Sequence, residues 1–431
     1  MKAQEKGTKQ LSLEDGFKVS TSDMDEMRGL IKDISARTET VDINGSHINI
    51  YSLRADSCPK FGAHKVPGKA VTERLSLSDV NAINAYNNRS MGLLKIDEIG
   101  EGLLKEAREN GMFLISIGDA DKKKYSVSSY ALQTLLQRAG IGGETALRCA
   151  SPIRDMFLEE GLCYRQENMK MLFRKDDEGH VKAFSFFSPT YQHIPQTILL
   201  EIIDGLDDKA FGEKSLYDCT ITQAYTDISI EYPEAAEAYA KKFGFKEKLI
   251  PGISLHTSDL GICSLSAQLT FRAENSKEPA VIKEFRMKHS KNNDAAKLVG
   301  QINDEFDSLK RYPSKFCGLN EEILDYKTTD IATEDGGEKN LDAAFGVISQ
   351  AFKALYANIE NFPAEQQKNI EGMVKDELLS DTKYTYFDLA MKILSVPERV
   401  TALSRARMNY VRTETAKIPE AILKIKKAHA A

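Results

Sequence analysis

The stretch that decides the fold is Leu172-Phe173-Arg174-Lys175-Asp176-Asp177-Glu178-Gly179-His180-Val181-Lys182-Ala183-Phe184-Ser185-Phe186-Phe187-Ser188-Pro189-Thr190-Tyr191. Two runs rich in apolar and aromatic residues flank a polar segment, Asp176 to His180. Such runs are typical of strands, and the polar segment between them is typical of a turn. The stretch therefore predicts a β-hairpin.

The rest of the chain divides at about residue 294. Before it, strand-like segments recur, and a second block of them lies at 250–267. After it, apolar residues repeat at helical spacing. This pattern predicts an α+β fold, in which a mixed sheet-and-helix core is followed by a helical C-terminal region. The predicted organisation is an N-terminal arm or appendage at 1–60, the core at 61–293, and the helical region at 294–431, with a flexible loop near 327–340.

The composition is that of an ordinary globular protein. The chain has 431 residues, of which 42% are hydrophobic and 28% charged, with a net charge of −6. No apolar run approaches the roughly 18 residues that span a bilayer, and the first residues lack the apolar core of a signal peptide. We therefore expect a cytoplasmic protein without a membrane partner. The negative net charge weakly disfavours bulk nucleic-acid binding, although a local basic face remains compatible with it.

Patterns typical of catalysis are missing from the sequence. The six cysteines form no Cys-x-x-Cys pair, and His180, His193, His256 and His289 are scattered along the chain. Ser258-Asp259 has no adjacent base, and no Gly-x-Ser-x-Gly motif occurs. The sequence thus predicts no cofactor, no metal site and no catalytic residue, which favours a protein that is not an enzyme.

Basic residues beside aromatic ones form the candidate contacts with nucleic acid, because cations neutralise phosphates and aromatic rings stack on bases. The first group is Lys122-Lys123-Lys124-Tyr125, which follows a predicted turn. The alternative is a solvated turn offset by Asp119 and Asp121. The second group comprises Arg148, Arg154, Arg165, Lys170, Arg174 and Lys182, with Tyr164 and Phe173 beside them, and Tyr191 is a further candidate for stacking.

Within that second group, Arg174 and Lys182 are expected to lie close together across the hairpin, on one face of the sheet. The alternative is that these are ordinary exposed strand ends. A third candidate site is the basic strand end that contains Arg286 and Lys288. Charged side chains that protect an edge strand from association explain this segment equally well.

The order of motifs resembles a family of phage- and plasmid-borne proteins of unknown function. The resemblance covers about residues 124–431 and rests on the hairpin, Ser188-Pro189-Thr190-Tyr191, Pro251-Gly252-Ile253-Ser254 and Ser258-Asp259-Leu260-Gly261. Arg272 looks like the family's arginine, and Arg286-Met287-Lys288-His289 looks like its Arg-x-x-His segment. Pro189-Thr190 replaces the acid and arginine that the family usually has there. The resemblance implies a protein of mobile DNA in the cytoplasm of a bacterial host.

The family is more distantly similar to the phage single-strand annealing proteins of the Red-beta, Erf and Rad group. Those proteins use a β-sheet core with a helix, form rings or filaments, and hold single-stranded DNA in a basic groove. The first hypothesis is therefore a homo-oligomeric protein that binds single-stranded DNA or RNA and anneals it, with Arg272 among its contacts. The alternative hypothesis is a structural or interaction protein that forms a homo-oligomer with a protein partner and binds no nucleic acid.

Overall fold

The computed structural model describes residues 13, 16–53, 69–71, 112–117, 125–148, 151–175, 181–289, 294–320, 336–357, 359–360, 362–379, 384–400 and 403–430. Its strands are β1 Lys18–Thr21, β2 Thr38–Asn44, β3 Ile48–Leu53, β4 Lys69–Val71, β5 Met112–Ile117, β6 Tyr125–Val127, β7 Asn168–Lys175, β8 Val181–Phe187, β9 Ser215–Thr222, β10 Thr226–Glu231, β11 Leu249–Thr257, β12 Leu265–Ala273 and β13 Ala280–Met287.

The α-helices of the same part of the chain include α1 Met24–Arg37, α2 Ser129–Arg138, α3 Glu144–Arg148, α4 Ser151–Arg165, α5 Thr197–Gly205, α6 Pro233–Phe243, α7 Ala295–Asp304, α8 Phe306–Arg311, α9 Gly336–Tyr356, α10 Ala364–Leu379, α11 Tyr386–Leu394, α12 Val396–Arg399, α13 Arg405–Thr415 and α14 Ile418–Ala430. With the strands, they make an α+β fold with a helical C-terminal region, as the sequence predicts.

Six strands form the antiparallel sheet A, in the order β1-β9-β10-β11-β12-β13. Side chains alternate between its two faces because the repeat of an extended strand is two residues. One face is apolar and includes Cys219, Ile228, Leu255 and Ala267, which pack into a large core with the C-terminal helices. The other face is polar. The sheet therefore has one side that packs into the core and one side that carries polar side chains.

A single row of polar residues crosses that second face through directly paired positions. From β1 to β13 the row is Ser20, Thr220, Asp227, His256, Ser266 and Arg286. Directly opposite residues of antiparallel strands have their Cβ atoms about 4.5–5.5 Å apart and share a face. The register therefore brings an aspartate and a histidine of neighbouring strands together.

Seven strands form the mixed sheet B, in the order β2-β7-β8-β6-β5-β3-β4. The pair β7–β8 is antiparallel, which confirms the predicted hairpin on both sides of residues 176–180. Helix α2 packs on β8, and residues of α2 and α4 share an apolar core with one face of the sheet. The opposite face carries Leu172, Phe184 and Phe187, which pack against Leu260 from the loop between β11 and β12. This second contact joins sheet B to sheet A.

The N-terminal segment is part of both sheets and is not an appendage. Strand β1 lies at the edge of sheet A, helix α1 buries Ile31 and Ile34 in the large core, and β2 pairs with β7 of sheet B. Residues 16–53 therefore belong to the two sheets of the core and do not form the separate N-terminal unit that the sequence predicts. Of the loop predicted near 327–340, residues 327–335 lie outside the described residues, and 336–340 belong to α9.

Candidate functional site

The candidate site lies where the loop 258–264, between β11 and β12, meets both sheets. Asp227 on β10 and His256 on β11 are cross-strand neighbours, and Asp227 Oδ1 is 2.8 Å from His256 Nδ1. The other ring nitrogen, His256 Nε2, is 3.1 Å from Cys263 Sγ in the loop. These two contacts connect a thiol, an imidazole and a carboxylate in sequence, and we call this set of contacts the Asp227–His256–Cys263 line.

The line has the arrangement of a nucleophile, a base and an orienting acid. The carboxylate of Asp227 accepts a hydrogen bond from Nδ1–H of His256, which leaves Nε2 to accept the thiol proton. Tyr225 stacks on the imidazole with ring centroids 5.3 Å apart, so the ring is held from its face as well. Cys263 and Asp227 are partly exposed, and His256 keeps 12% of its side-chain surface. A small reactant can therefore approach the sulfur.

His289 forms a second set of contacts, which connects the loop to Tyr191. His289 Nε2 is 3.1 Å from the Cys263 carbonyl oxygen, and its Nδ1 is 2.8 Å from the Tyr191 hydroxyl. Tyr191 stacks on Phe187 with centroids 3.8 Å apart and on His289 at 4.9 Å. Burial raises the pKa of Tyr191 above its ordinary value, so its hydroxyl stays protonated. This stack fixes the backbone that carries the thiol.

Beneath the loop, a buried ion pair ties sheet B to sheet A. Arg174 of β7 donates to Asp259 Oδ2 at 3.2 Å, and both side chains keep only 2% of their surface exposed. Gln196 donates to the same oxygen at 2.9 Å and accepts from Thr226 at 3.1 Å. Burial acts to lower the pKa of Arg174, whereas the Asp259 carboxylate opposes that shift. The pair is thus a structural junction below the reactive thiol.

Several polar side-chain atoms at this junction have no hydrogen-bond partner among the described residues. They are Thr257 Oγ1, Ser258 Oγ, Asp259 Oδ1 and His193 Nε2. His193 Nε2 lies 4.0 Å from Asp259 Oδ1, and burial lowers the pKa of His193, so the imidazole is held neutral. Unpaired buried polar atoms are costly, so they lower the stability that the junction contributes.

Four of the predicted nucleic-acid contacts are buried in the structure, which corrects their assignment. Tyr125 keeps 5% of its surface, Arg174 and Lys182 2% each, and Arg272 8%. The proximity of Arg174 and Lys182 is confirmed, since the two are paired in the β7–β8 register, but they lie in the interior. Arg272 makes two hydrogen bonds to Glu231, at 2.6 and 2.9 Å, because a buried guanidinium needs a matching carboxylate.

The remaining predicted contacts lie apart from one another. Tyr164, Arg165, Arg286 and Lys288 are exposed, although Arg165 pairs with Glu167 at 3.0 Å and Arg286 with Glu284 at 2.7 Å. Arg154 and Tyr191 are partly buried. Lys122, Lys123 and Lys124 lie outside the described residues, as does the side chain of Arg148 at the end of α3. The structure therefore does not gather the predicted set into one groove.

Sequence reasoning missed the Asp227–His256–Cys263 line, because its members come from two strands and a loop. Four residues of the motifs that resemble the phage and plasmid family lie in or beside the loop 258–264. Arg174, Tyr191 and His289, up to 115 positions apart in the chain, contact the loop 258–264, and Asp259 belongs to it. The β10–β11 register brings Asp227 and His256 together.

No protein-family model matches the chain, and neither a curated protein nor a solved structure is significantly similar to it. Among the described residues, no group of three or more His, Cys, Asp or Glu could hold a metal ion. In that same part of the chain, no helix is long and apolar enough to cross a membrane. The function is therefore argued from the geometry of the site.

Gly261 is the single glycine of the loop 258–264, and we expect it to tolerate substitution poorly. It has φ +70°, and a Cβ there would lie 2.7 Å from Phe187 Cε1 and 3.3 Å from Tyr191 Cε2. Gly244 also has φ +70°, but a Cβ there would meet nothing within 4 Å. Either Ala substitution should cost about 1 kcal/mol for the left-handed backbone, and Gly261→Ala should cost about 1–3 kcal/mol more for the overlap with Phe187.

Urea unfolding of the two variants measures this difference. Because the backbone conformations match, Gly244→Ala serves as the control for the conformational term. Equal stability of the two variants would show that the rings of Phe187 and Tyr191 move aside without loss of stability and do not hold the loop in place.

Proposed function

We propose that the protein is a cysteine-dependent acyl-transfer enzyme, a hydrolase or acyltransferase whose nucleophile is Cys263. The observation that carries the proposal is the continuous line from Asp227 through His256 to Cys263, with contacts of 2.8 and 3.1 Å. Cysteine is a weak nucleophile as a thiol and a strong one as a thiolate. An adjacent imidazole, oriented by a carboxylate, supplies that activation.

In the proposed reaction, the Cys263 thiol gives its proton to His256 Nε2 and the sulfur attacks a carbonyl carbon. The bond between that carbon and the leaving amine or alcohol breaks, and His256 returns the proton to the leaving group. A water or another acceptor then attacks the thioester, loses its proton to His256, and releases the acyl group and the free thiol. Asp227 remains ionised and stabilises the imidazolium through both steps.

The surroundings of the line support this chemistry. Asp227 and His256 also line a cavity of about 300 Å³ over the polar face of sheet A. Small-molecule sites are concave and place a few polar groups so that they orient the ligand, and Asp227 and His256 are polar groups of this cavity. The stack of Phe187, Tyr191 and His289 orders the segment that presents the thiol. Asp227 and His256 thus line the cavity, and Cys263 is connected to it through its contact with His256.

Alkylation by iodoacetamide tests whether the thiol is activated. An ordinary cysteine is only a few per cent thiolate at pH 7, so Cys263 should react about tenfold faster than an unpaired thiol. Cys163 and Cys317 are exposed and serve as controls within the same chain. His256→Ala should bring Cys263 down to their rate, as measured by peptide mass spectrometry. A Cys263 rate at or below that of Cys317 in the wild type would contradict the proposal.

A second candidate function is the binding of single-stranded nucleic acid, and helix α4 favours it. Tyr164 keeps 91% of its surface exposed and Phe157 keeps 50%. The two are seven residues apart, about two helical turns, so they share a face. Arg154 and Arg165 lie on the same helix. Exposed rings beside arginines suit base stacking and phosphate contact. This candidate is the function that the family resemblance implies, including annealing by a homo-oligomer.

Replacing Tyr164 and Phe157 with Ala should weaken binding to a fluorescent single-stranded oligonucleotide by about 1–3 kcal/mol per stacked base. Affinity should also fall steeply between low and moderate salt. Met373→Ala is the control, since Met373 is an exposed apolar residue on another helix, α10. No binding at low salt by the wild type, together with a uniform oligomer in light scattering, would favour the protein-interaction alternative.

A further inference from the structure

The cavity beside Asp227 and His256 has a charge pattern of its own. Its floor is the polar face of sheet A, where the hydroxyls of Ser229 and Ser254 lie 3.5 Å apart. Its far wall comes from the β12–β13 turn and from α13, which contributes Asn409. A volume of about 300 Å³ lies at the lower end of small-molecule sites. The occupant is therefore small and forms many hydrogen bonds.

Most charges around this cavity are already paired. Arg412 forms an ion pair with Glu278, and Asp227 hydrogen-bonds His256. Arg412 Nε is buried and, within the part of the chain that the structure describes, has no hydrogen-bond partner. The other charged lining residues are Asp218 on β9 and Lys277 in the β12–β13 turn, both exposed. The cavity thus offers a carboxylate on one side and an ammonium on the other.

We propose that this cavity binds a small zwitterionic amide, a dipeptide with a free amino and a free carboxyl group. Its ammonium group pairs with Asp218, its carboxylate with Lys277, and its amide lies over the serine hydroxyls. The assignment of the bound amide as a substrate rests on the proposed acyl-transfer function, whereas the binding itself does not need Cys263. Because the two sides carry opposite charges, we expect a ligand with both an ammonium and a carboxylate group to bind more tightly than one with a single charge.

Calorimetric titration of alanyl-alanine into Cys263→Ala protein tests the inference without turnover. N-acetyl-alanyl-alanine lacks the ammonium, and alanyl-alanine amide lacks the carboxylate, so each should bind at least about fivefold more weakly, the scale of one charged hydrogen bond. Asp218→Asn should lower affinity for the free dipeptide by a similar factor and leave affinity for the acetylated one unchanged. Lys277→Met should lower affinity for the free dipeptide by a similar factor and leave affinity for alanyl-alanine amide unchanged. Asp307→Asn, an exposed acid on α8, is the control.

The outcomes separate this inference from the enzymatic one. Binding of the free dipeptide with the expected variant pattern supports the cavity assignment even if Cys263 proves unreactive. Equal binding of free and blocked dipeptides, or no binding of any of them, overturns it even if Cys263 proves to be an activated nucleophile.

Discussion

Cys263→Ala should abolish the burst of p-nitrophenol that the wild-type protein releases from p-nitrophenyl acetate. The burst reports formation of a thioester on the attacking sulfur, and His256 Nε2 at 3.1 Å takes the thiol proton in that step. His256→Ala should slow acylation by about 10²–10⁴-fold, the usual contribution of a positioned base. Asp227→Asn should slow it by at least about tenfold, because the imidazole loses its fixed tautomer. Stopped-flow absorbance measures the burst.

Cys317→Ala is the matched control, since it removes an exposed thiol from the same chain and should leave the burst unchanged. Circular dichroism of each variant shows whether it is folded. A burst that survives in folded Cys263→Ala protein, or disappears in Cys317→Ala protein, would sink the assignment of the nucleophile.

Arg174→Met is expected to be the most destabilising single substitution at the sheet junction. It leaves the Asp259 carboxylate buried with only Gln196 as a side-chain hydrogen-bond donor among the described residues. Removing one partner of a buried ion pair typically costs about 3–5 kcal/mol, because the remaining charge keeps its desolvation penalty. Urea unfolding at pH 7 should show a loss of that size.

Two comparisons test the cause of that loss. Arg165→Met breaks an ion pair whose side chains are 43% and 37% exposed, and it should cost no more than about 1 kcal/mol. The double substitution Arg174→Met with Asp259→Leu removes both charges and should recover much of the stability. A single Arg174→Met variant as stable as Arg165→Met would mean that the junction does not depend on this pair.

Much of the fold could be predicted from local sequence. The β7–β8 hairpin follows from two apolar runs around a polar turn, and the C-terminal helices follow from helical spacing of apolar residues. The interpretation of the N-terminal segment failed for a non-local reason. Strands β2 and β3 follow one another in the chain, but β2 pairs with β7 and β3 pairs with β5, at distant positions of sheet B. The paired residues are 124–136 positions apart in β2–β7 and 59–69 positions apart in β3–β5, and pairing over such separations leaves no local signal.

The same limit explains the errors at the site. A charged residue in a strand suggests an exposed face, but Arg174 and Arg272 are buried beside Asp259 and Glu231, which are 85 and 41 positions away. Asp227 and His256 are unremarkable in sequence and become neighbours only through the β10–β11 register. A histidine followed by a cysteine after a short turn is the one local signal, and it is too common to predict a nucleophile.

Locating the acyl group after one turnover shows directly whether Cys263 is the nucleophile. The wild-type protein is mixed with a small excess of p-nitrophenyl acetate, quenched in acid during the burst, digested, and sequenced by tandem mass spectrometry. We expect a single acetyl group on Cys263, with Cys163 and Cys317 unmodified. An acetyl group spread over the three thiols in proportion to their exposure, or none on Cys263, would contradict it.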